Sequence, residues 1–589
     1  MSKFPSLQNV FDATKATVIR FPLEIIAALC GTIFAIRSID LEYQDPTRQF
    51  LLKAIMSSSL CLVLFLSVSL YFISKSKNYL YRYLISLLLG VLAVLFVFNF
   101  HESLSQVDII QFVVLDIALH LLVSFAGFIP IQYNQEEFWE FNKRLFLRIL
   151  TAGLYSVVLY LGLTLALVAI KELFNVDFDN KIYGYLFFTI AGIFNTMFFL
   201  NGVPSIGKNQ QPLQLKYPNG LKNFTQYVLL PLISIYLLIL LGYEAKIIVL
   251  FSLPIGWVSY LVLVFAIVGI LSFLLIHPIA NIQGNLWMRS FNRWFYFLLV
   301  PLLGLLFWAI LYRIQLYGFT HERYYVLLLS IWLTIVIAYF LIQKQPKIKF
   351  IPISMCVAGL LSIVGPQSAD SISKNSQLDR FESYLQIIKK QKLSFKQEQD
   401  LSSIIDFLDD NYGVEIFLVS DAKGKLSSLL KKDKNPSPFK IMESLGLVYH
   451  DKYERENNVN SAFYYNFSDN QYVESIQGYD VIIALSNYSD LNCEKCLEIG
   501  KVLYSVKSNK KSYGIDLQIN NDTIPLRIFD FINKNADFDS NLIHDKKIIQ
   551  LVEYSKYHLL ITYLNVNGVK RGRQKVVENF DLKIMVKIK

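Results

Sequence analysis

Residues 324–343 read YYVLLLSIWLTIVIAYFLIQ, a run of twenty residues without Asp, Glu, Lys or Arg. An α-helix rises about 1.5 Å per residue, so a run of this length matches the ~30 Å hydrocarbon core of a bilayer. The run therefore predicts a transmembrane helix. Comparable runs recur throughout the first 366 residues.

On this basis eleven transmembrane helices are predicted, at residues 21–36, 54–74, 84–100, 109–131, 149–170, 182–203, 224–242, 247–276, 295–312, 324–343 and 350–366. The first span is short and carries Glu24. The span 247–276 is too long for one straight helix and contains Pro254 and Gly256. Because proline removes a backbone donor and bends helices, a broken or re-entrant helix is expected at Pro254 and Gly256.

The charge of the chain is unevenly distributed. The 589 residues carry a formal net charge of +10, and +9 of it lies in residues 1–366, where charged residues are scarcest. A basic excess confined to a membrane region does not indicate nucleic acid as a partner. The lipid bilayer is the expected partner instead.

Lys and Arg also predict the orientation of the helices. With the N-terminus inside, the inside segments carry 17 Lys and Arg and the outside connections carry 8. Cytoplasmic connections are the basic ones in membrane proteins, so the N-terminus is expected in the cytoplasm. Because eleven is an odd number, residues 367–589 are expected outside it.

Three regions are predicted. Residues 1–20 carry Phe4, Leu7, Phe11 and Val18 at helical spacing and predict an amphipathic helix at the membrane interface. Residues 21–366 form a polytopic α-helical membrane domain of about 11 transmembrane helices. Residues 367–589 form a soluble α+β domain.

The soluble region shows local signals for its elements. Ser394 and Gln397 form a capping-box pattern, and Gly413 predicts the end of that helix. A short helix is predicted around 437–445, after a Pro-rich turn. Strands are predicted at 414–419, 461–468, 479–486, 501–507, 513–519, 548–554, 557–566 and 581–588, with turns at 520–522 and 567–568.

Three stretches resemble a known family: residues 3–12 running on to 20–24, residues 253–257, and residues 312–324. The segment 317–324, Tyr-Gly-x-Thr-x-x-Arg-Tyr, is the most specific of them. Together with the layout, they resemble the Domain of Unknown Function family 4153, in particular its long Bacteroidetes-type members. The resemblance implies a bacterial multi-pass inner-membrane protein. With the orientation predicted from Lys and Arg, the C-terminal domain is then expected in the periplasm. It implies no activity and no catalytic residues.

Asp116 and His120 are a candidate intramembrane polar site. They lie four residues apart within the predicted span 109–131, so they share one helix face. Such a pair is compatible with a proton relay or a cation site. The alternative is that Asp116 reaches interfacial water near the outside end of the helix.

The connection after the ninth span is a second candidate site. It contains Arg313, Tyr317, Gly318, Thr320, Glu322 and Arg323. One interpretation is a structural hairpin, with a tight turn at Gly318, Thr320 capping the next helix, and Glu322 paired with an arginine. The other is an anion or lipid-headgroup site, because guanidinium groups suit phosphate and carboxylate.

Cysteine and motif patterns add little chemistry. Cys493 and Cys496 form a single CxxC, which outside the cytoplasm is compatible with a local disulfide. The sequence contains no GxxxxGK[ST], GxGxxG, HExxH or GxSxG motif. No metal, cofactor or catalytic residue is therefore predicted.

Three functions remain open. The first is a non-enzymatic envelope scaffold or sensor that works through its outer domain with an envelope protein partner. The second is a secondary transporter or ion pathway, favoured by Asp116, His120 and the helix break. The third is a membrane-embedded transferase acting on lipid-linked substrates. The sequence leans towards a protein that is not an enzyme.

Overall fold

The structure is a computed structural model of the whole chain. It describes residues 7–42, 45–129, 133–207, 213–250, 257–278, 286–417, 426–427, 429, 433, 436–454, 462–467, 475–486, 493–499, 501–509, 514–535, 538, 543–544, 547–571 and 574–589.

Helices dominate the first two thirds of the chain. They are α1 Leu7–Arg20, α2 Pro22–Asp40, α3 Thr47–Ser74, α4 Tyr79–Phe98, α5 Gln106–Ala126, α6 Gln135–Phe174, α7 Lys181–Asn201, α8 Asn219–Leu250, α9 Trp257–Ile276, α10 Leu286–Tyr317, α11 His321–Ile342, α12 Phe350–Ile363, α13 Ala369–Ile388, α14 Phe395–Tyr412, α15 Pro438–Ser444 and α16 Ile528–Lys534.

The predicted fold class is confirmed: a helical membrane domain precedes a domain built on β-sheets. Within the described residues, nine helices are long and apolar enough to cross a membrane, namely α2–α8, α10 and α11. Two further apolar helices, α9 and α12, match the remaining predicted spans, and the side chains of α9 are described from Tyr260 onward. The chain is therefore a multi-pass membrane protein, and its helix count agrees roughly with the predicted eleven.

The predicted run 247–276 is divided between two helices. Residues 247–250 end α8, and α9 begins at Trp257. Pro254 and Gly256 lie outside the described residues, so the helix break stays a prediction.

Local signals explain where several helices begin. In α5, Ser105 Oγ accepts from Asp108 N while Asp108 Oδ2 accepts from Ser105 N, a complete capping box. The predicted box at α14 is also present, because Ser394 N donates to Gln397 Oε1 at 2.9 Å. Gly413 ends that helix at φ +70°, as expected for a left-handed terminator.

Two apolar clusters form the core of the helical region. The first is built mainly from α2–α5, the start of α6 and the end of α7, and the second mainly from α8–α11. Tyr217, Leu274 and Phe340 pack against both clusters. Trp139 of α6 stacks on Tyr217 at 5.4 Å between ring centroids and donates to Leu274 O at 2.7 Å. These residues join the two halves of the bundle.

Lysine side chains occupy the C-terminal ends of two helices. Lys53 Nζ of α3 donates to Phe100 O, just after α4, at 2.8 Å. Lys349 Nζ donates to Phe128 O, just after α5, at 2.7 Å. The last carbonyls of a helix have no partner within it and carry partial negative charge, so an ammonium group stabilises both ends.

The chain divides into two compact units, 1–392 with 404–447, and 393–403 with 448–589. The predicted regional boundaries at 20 and 366 stay predictions. Unit 2 contains strands β1 Ala462–Phe467, β2 Val481–Ser486, β3 Cys493–Ile499, β4 Val502–Asn509, β5 Gly514–Ile519, β6 Asp522–Leu526, β7 Ile543–His544, β8 Ile548–Glu553, β9 Tyr557–Arg571 and β10 Gln574–Ile588.

These strands form two sheets over one core. The larger sheet has the order β2-β10-β9-β1-β7, and β8 pairs with the first half of β9. The smaller sheet is the antiparallel meander β3-β4-β5-β6. Buried residues of both sheets and of α16 form a single apolar cluster.

Two local predictions in the C-terminal third are wrong. Residues 414–416 form a 3-10 helix instead of a strand, because they directly follow the glycine that ends α14. The turn predicted at Asn567-Gly568 lies inside β9. There β10 approaches so closely that a Cβ on Gly568 would lie 2.0 Å from Val576 O, so this glycine serves a close backbone approach instead of a turn.

We expect Lys349→Met to lower the free energy of unfolding by about 1–3 kcal/mol, because it leaves the Phe128 carbonyl without its donor. Lys347→Met is the matched control, since Lys347 is exposed two residues away. Thermal unfolding of the purified protein in mild detergent measures both variants. Equal stabilities of the two variants would contradict the helix-end role.

Candidate functional site

Asp116 and His120 meet on α5, as their spacing predicts. His120 Nδ1 lies 2.8 Å from Asp116 O and 3.3 Å from Asp116 Oδ2. The carbonyl oxygen can only accept, so Nδ1 carries a hydrogen. The Asp116 Oδ1 atom is buried and has no hydrogen-bond partner.

The pair lies on the outer side of the bundle. The His120 side chain is 56% exposed and that of Asp116 is 26% exposed. On another side of α5, Ala118 packs against Gly359 of α12. A Cβ atom added to Gly359 would lie 3.4 Å from the Cβ atom of Ala118. Packing therefore turns His120 away from the helices of its own chain. A proton or cation role for the pair stays a prediction.

The α10–α11 hairpin turns at Gly318, which has φ +66°. The space beside Gly318 is also occupied: a Cβ atom added to this residue would lie 2.8 Å from Arg380 Cδ and from Ser376 Oγ of α13. Only glycine combines this backbone conformation with so close an approach. The predicted tight turn is present, and its glycine also allows α13 to pack on it.

Side chains of α13 bind the backbone of this hairpin. Gln377 Nε2 donates to Tyr317 O at 3.0 Å and to Phe319 O at 2.6 Å. Arg380 Nη1 donates to Tyr317 O at 2.7 Å. From the hairpin itself, Arg323 Nη1 donates to Tyr317 O at 2.8 Å and to Gly318 O at 2.9 Å. These donors satisfy the last carbonyls of α10.

The remaining predicted hairpin residues have other positions. Thr320 stands at the N-cap of α11, but its side chain makes no capping hydrogen bond. Glu322 accepts from Tyr260 OH at 3.3 Å, and among the described ion pairs none joins it to an arginine. Arg313 makes no hydrogen bond within the described part of the chain. Its positive charge lies close enough to repel that of Arg323.

A cavity of about 520 Å³ lies between the hairpin and α13. Gln315, Gly318, Asn375, Ser376, Asp379 and Arg380 are among its lining residues. Two of the nearby guanidinium groups already donate to carbonyls, and Asp379 adds a negative charge. The geometry accounts for a structural hairpin, and the anion or headgroup site stays a prediction.

A buried polar cluster lies beside the hairpin. His321 Nε2 lies 3.8 Å from Asp370 Oδ1, and Tyr412 OH donates to the same oxygen at 2.8 Å. Burial alone would raise the pKa of the Asp370 carboxyl, but the interaction with His321 and the hydrogen bond from Tyr412 outweigh it and hold that pKa below its usual range. Burial beside this carboxylate raises the pKa of Tyr412.

Three of the five cysteines have described side chains. Cys30, Cys61 and Cys356 are free thiols within the helices. The side chains of Cys493 and Cys496 lie outside the described residues, so the disulfide stays a prediction. Among the described residues, no group of three or more His, Cys, Asp or Glu side chains is placed to bind a metal.

The sequence did not predict the most deeply buried of the described ion pairs. Glu24 at the start of α2 and Arg82 at the start of α4 are 0% and 3% exposed, and Arg82 Nη2 lies 3.6 Å from Glu24 Oε1. Ser69 OH donates to the same Glu24 oxygen and accepts from Arg82 Nε at 2.9 Å. Glu24 Oε2 is buried without a partner.

This cluster also holds the N-terminal helix. Arg82 Nη2 donates to Arg20 O at the end of α1, at 2.7 Å. Arg20 in turn donates to Val203 O at 2.8 Å and to Pro204 O at 3.2 Å. The only signal for this cluster in the sequence was a carboxylate inside the first span.

A second charged cluster lies at the start of α6. Glu140 is buried and accepts from Lys143 Nζ at 2.7 Å and from Arg144 Nε at 2.8 Å. Lys216 N donates to Glu140 Oε2 at 3.1 Å. The i,i+4 pair of Glu140 and Arg144 is thus present, and it also anchors the connection before α8.

We expect Arg82→Met to cost about 3–5 kcal/mol of unfolding free energy, because it leaves the Glu24 carboxylate buried without its cation. The double variant Glu24→Gln with Arg82→Met should be more stable than Arg82→Met alone, since no uncompensated charge remains. Unfolding in detergent measures the whole cycle.

Arg37→Met is the control for this cycle, since Arg37 is exposed on the same helix as Glu24. It should change the unfolding free energy by less than about 0.5 kcal/mol. Strictly additive effects of the two substitutions in the double variant would show that Glu24 and Arg82 are not coupled.

Comparison with known proteins agrees with the resemblance in the sequence. The family model described as Domain of unknown function (DUF4153) matches residues 25–401. Uncharacterized protein PM1469 of Pasteurella multocida (strain Pm70) is 26% identical over 297 residues, which are 49% of this chain and 48% of that protein. The chain thus spans about half the length of this curated relative. No solved structure matches it significantly. Because the family model covers more than half of its length, the chain belongs to the family described as Domain of unknown function (DUF4153).

Proposed function

We propose that this chain is a multi-pass protein of the bacterial inner membrane whose helical unit is a compact anchor. In this proposal the N-terminus is cytoplasmic and the C-terminal domain is periplasmic. That domain works as a non-enzymatic scaffold or sensor and binds a protein partner of the envelope.

One observation carries the anchor role. Four buried charged side chains of the bundle stabilise helix ends or connections of the same chain. Lys53 and Lys349 bind carbonyls beyond neighbouring helices, and Arg82 binds the end of α1. Glu140 binds the connection before α8. Each of these groups has a structural partner, which favours an anchor over a transport pathway.

Contacts between helix ends support the alternation of the eleven proposed passes. If the eleven helices cross the membrane in alternating directions, each helix end lies on one of its two sides. The hydrogen bonds between helix ends then join ends that lie on the same side. Examples are Arg20 with Val203 and Trp139 with Leu274 on the cytoplasmic side, and Lys53 with Phe100 and Tyr260 with Glu322 on the other. The bias of 17 basic residues against 8 is what supports the cytoplasmic assignment of the N-terminal side.

A fusion experiment tests the orientation. We expect alkaline phosphatase, which is active only outside the cytoplasm, to be active when fused after Lys589. Green fluorescent protein, which fluoresces only inside, should stay dark there. As a control, the same reporters inserted at Lys344 should give the opposite pattern, since residues 344–349 belong to the predicted inside set. A fluorescent fusion after Lys589 would contradict the proposal.

Transport is the second candidate function, and one observation favours it. Asp116 Oδ1 is buried without a partner beside His120, in the middle of α5. Ionisable groups at such depth often belong to ion or proton pathways.

A flux assay separates the two functions. We expect the full-length protein in proteoliposomes to dissipate an imposed proton or sodium gradient no faster than its Asp116→Asn variant. The anchor role predicts equal rates at every pH tested. A faster loss of the gradient with the unmodified protein, abolished by the substitution, would replace the anchor proposal with transport.

A further inference from the structure

The outer face of α5 is exposed along its length. Ile109, Val113 and Ile117 are 51%, 45% and 52% exposed, and the His120 side chain is 56% exposed. Their spacing of four, four and three residues places them on one side of the helix. We call these four residues the α5 outer face.

This face combines lipid-like side chains with one member of an ionisable pair near the middle of a helix long and apolar enough to cross a membrane. α5 runs from Gln106 to Ala126, so Asp116 is its middle residue. Ionisable groups within a span almost always face protein or water, because exposure to hydrocarbon costs several kcal/mol for a charge. Ile109, Val113 and Ile117 suit lipid, but His120, which follows Ile117 on the same side of the helix, does not.

Some polar atoms of Asp116 and His120 have no hydrogen-bond partner among the described residues. His120 uses Nδ1 within its own helix, and Nε2 has no partner among the described residues. The Asp116 side chain is 26% exposed and its Oδ1 atom is buried and unpartnered, so Oδ2 is the carboxylate oxygen that another molecule can reach. The pair thus has an unused ring nitrogen and an acceptor with spare capacity.

We propose that a second copy of this chain covers the α5 outer face in the membrane. The two α5 helices cross near a two-fold axis. An imidazolium donates through Nδ1 within its own helix, and through Nε2 to the Asp116 carboxylate of the other copy. The reciprocal bond forms on the opposite side of the axis, as an isologous interface requires. The apolar residues of the face pack around these two bonds.

Self-complementarity is the reason to choose a second copy over another protein. His120 of the face and the neighbouring Asp116 supply a donor and an acceptor one turn apart, so the same surface provides both halves of each bond. A lipid tail offers neither a donor nor an acceptor. The interface also gives the spare oxygen capacity of Asp116 a use.

Cysteine cross-linking in membranes tests the geometry. The background variant replaces all five native cysteines with serine, at Cys30, Cys61, Cys356, Cys493 and Cys496. We expect Val113→Cys and Ile117→Cys to form, on oxidation, a disulfide-linked species of twice the 68.0 kDa chain mass. Leu92→Cys on the exposed side of α4 is the control and should stay monomeric.

A second measurement tests the role of the polar pair. His120→Leu should raise the dissociation constant of the dimer in nanodiscs or detergent by about tenfold or more, because two symmetry-related hydrogen bonds are lost. Its exposed position means that leucine there does not disturb the fold. A monomer at all concentrations, or a dimer that ignores His120→Leu and does not cross-link through α5, would overturn the proposal.

Discussion

Helix-end carbonyl groups that water cannot reach are the constraint on which the helical unit depends. In a membrane, each backbone group must find its partner within the protein. The chain meets this demand with cations from neighbouring helices: Lys53 and Lys349 bind carbonyls beyond α4 and α5, and Arg82 binds the end of α1. Because each contact joins two helices, the chemistry that satisfies the backbone also determines which helix ends lie together.

The same contacts give the basic residues two roles. Arg20, Arg82 and Lys349 are among the 17 Lys and Arg residues of the predicted inside segments. Each of them also donates a hydrogen bond to a carbonyl group of another segment. The roles are compatible, because helix ends lie near the membrane surface where a cation is tolerated. Trp139 and Tyr217 add an aromatic contact that joins the two apolar clusters.

Much of the fold could be predicted because the signals are local. A transmembrane span can be recognised from the hydropathy of about twenty consecutive residues. The capping box of Ser394 and Gln397 can be recognised from four consecutive residues. Predictions failed where a distant strand or a preceding turn decided the structure. Gly568 suggests a turn, but the approach of Val576 makes it part of a long strand. Strand β3 was not predicted, because its alternation contains charged residues on both faces.

The sequence by itself determined the membrane character, the approximate number of spans, the β-rich nature of the last third and the i,i+4 contact of Asp116 with His120. Tertiary structure alone decided which polar groups meet across the bundle. Glu24 and Arg82 lie 58 positions apart, and the sequence around either residue does not indicate that the other is its partner. Likewise, only packing against α12 shows that His120 faces outward. The physical reason is that hydropathy adds up along one segment, whereas a hydrogen bond depends on which segment lies beside it.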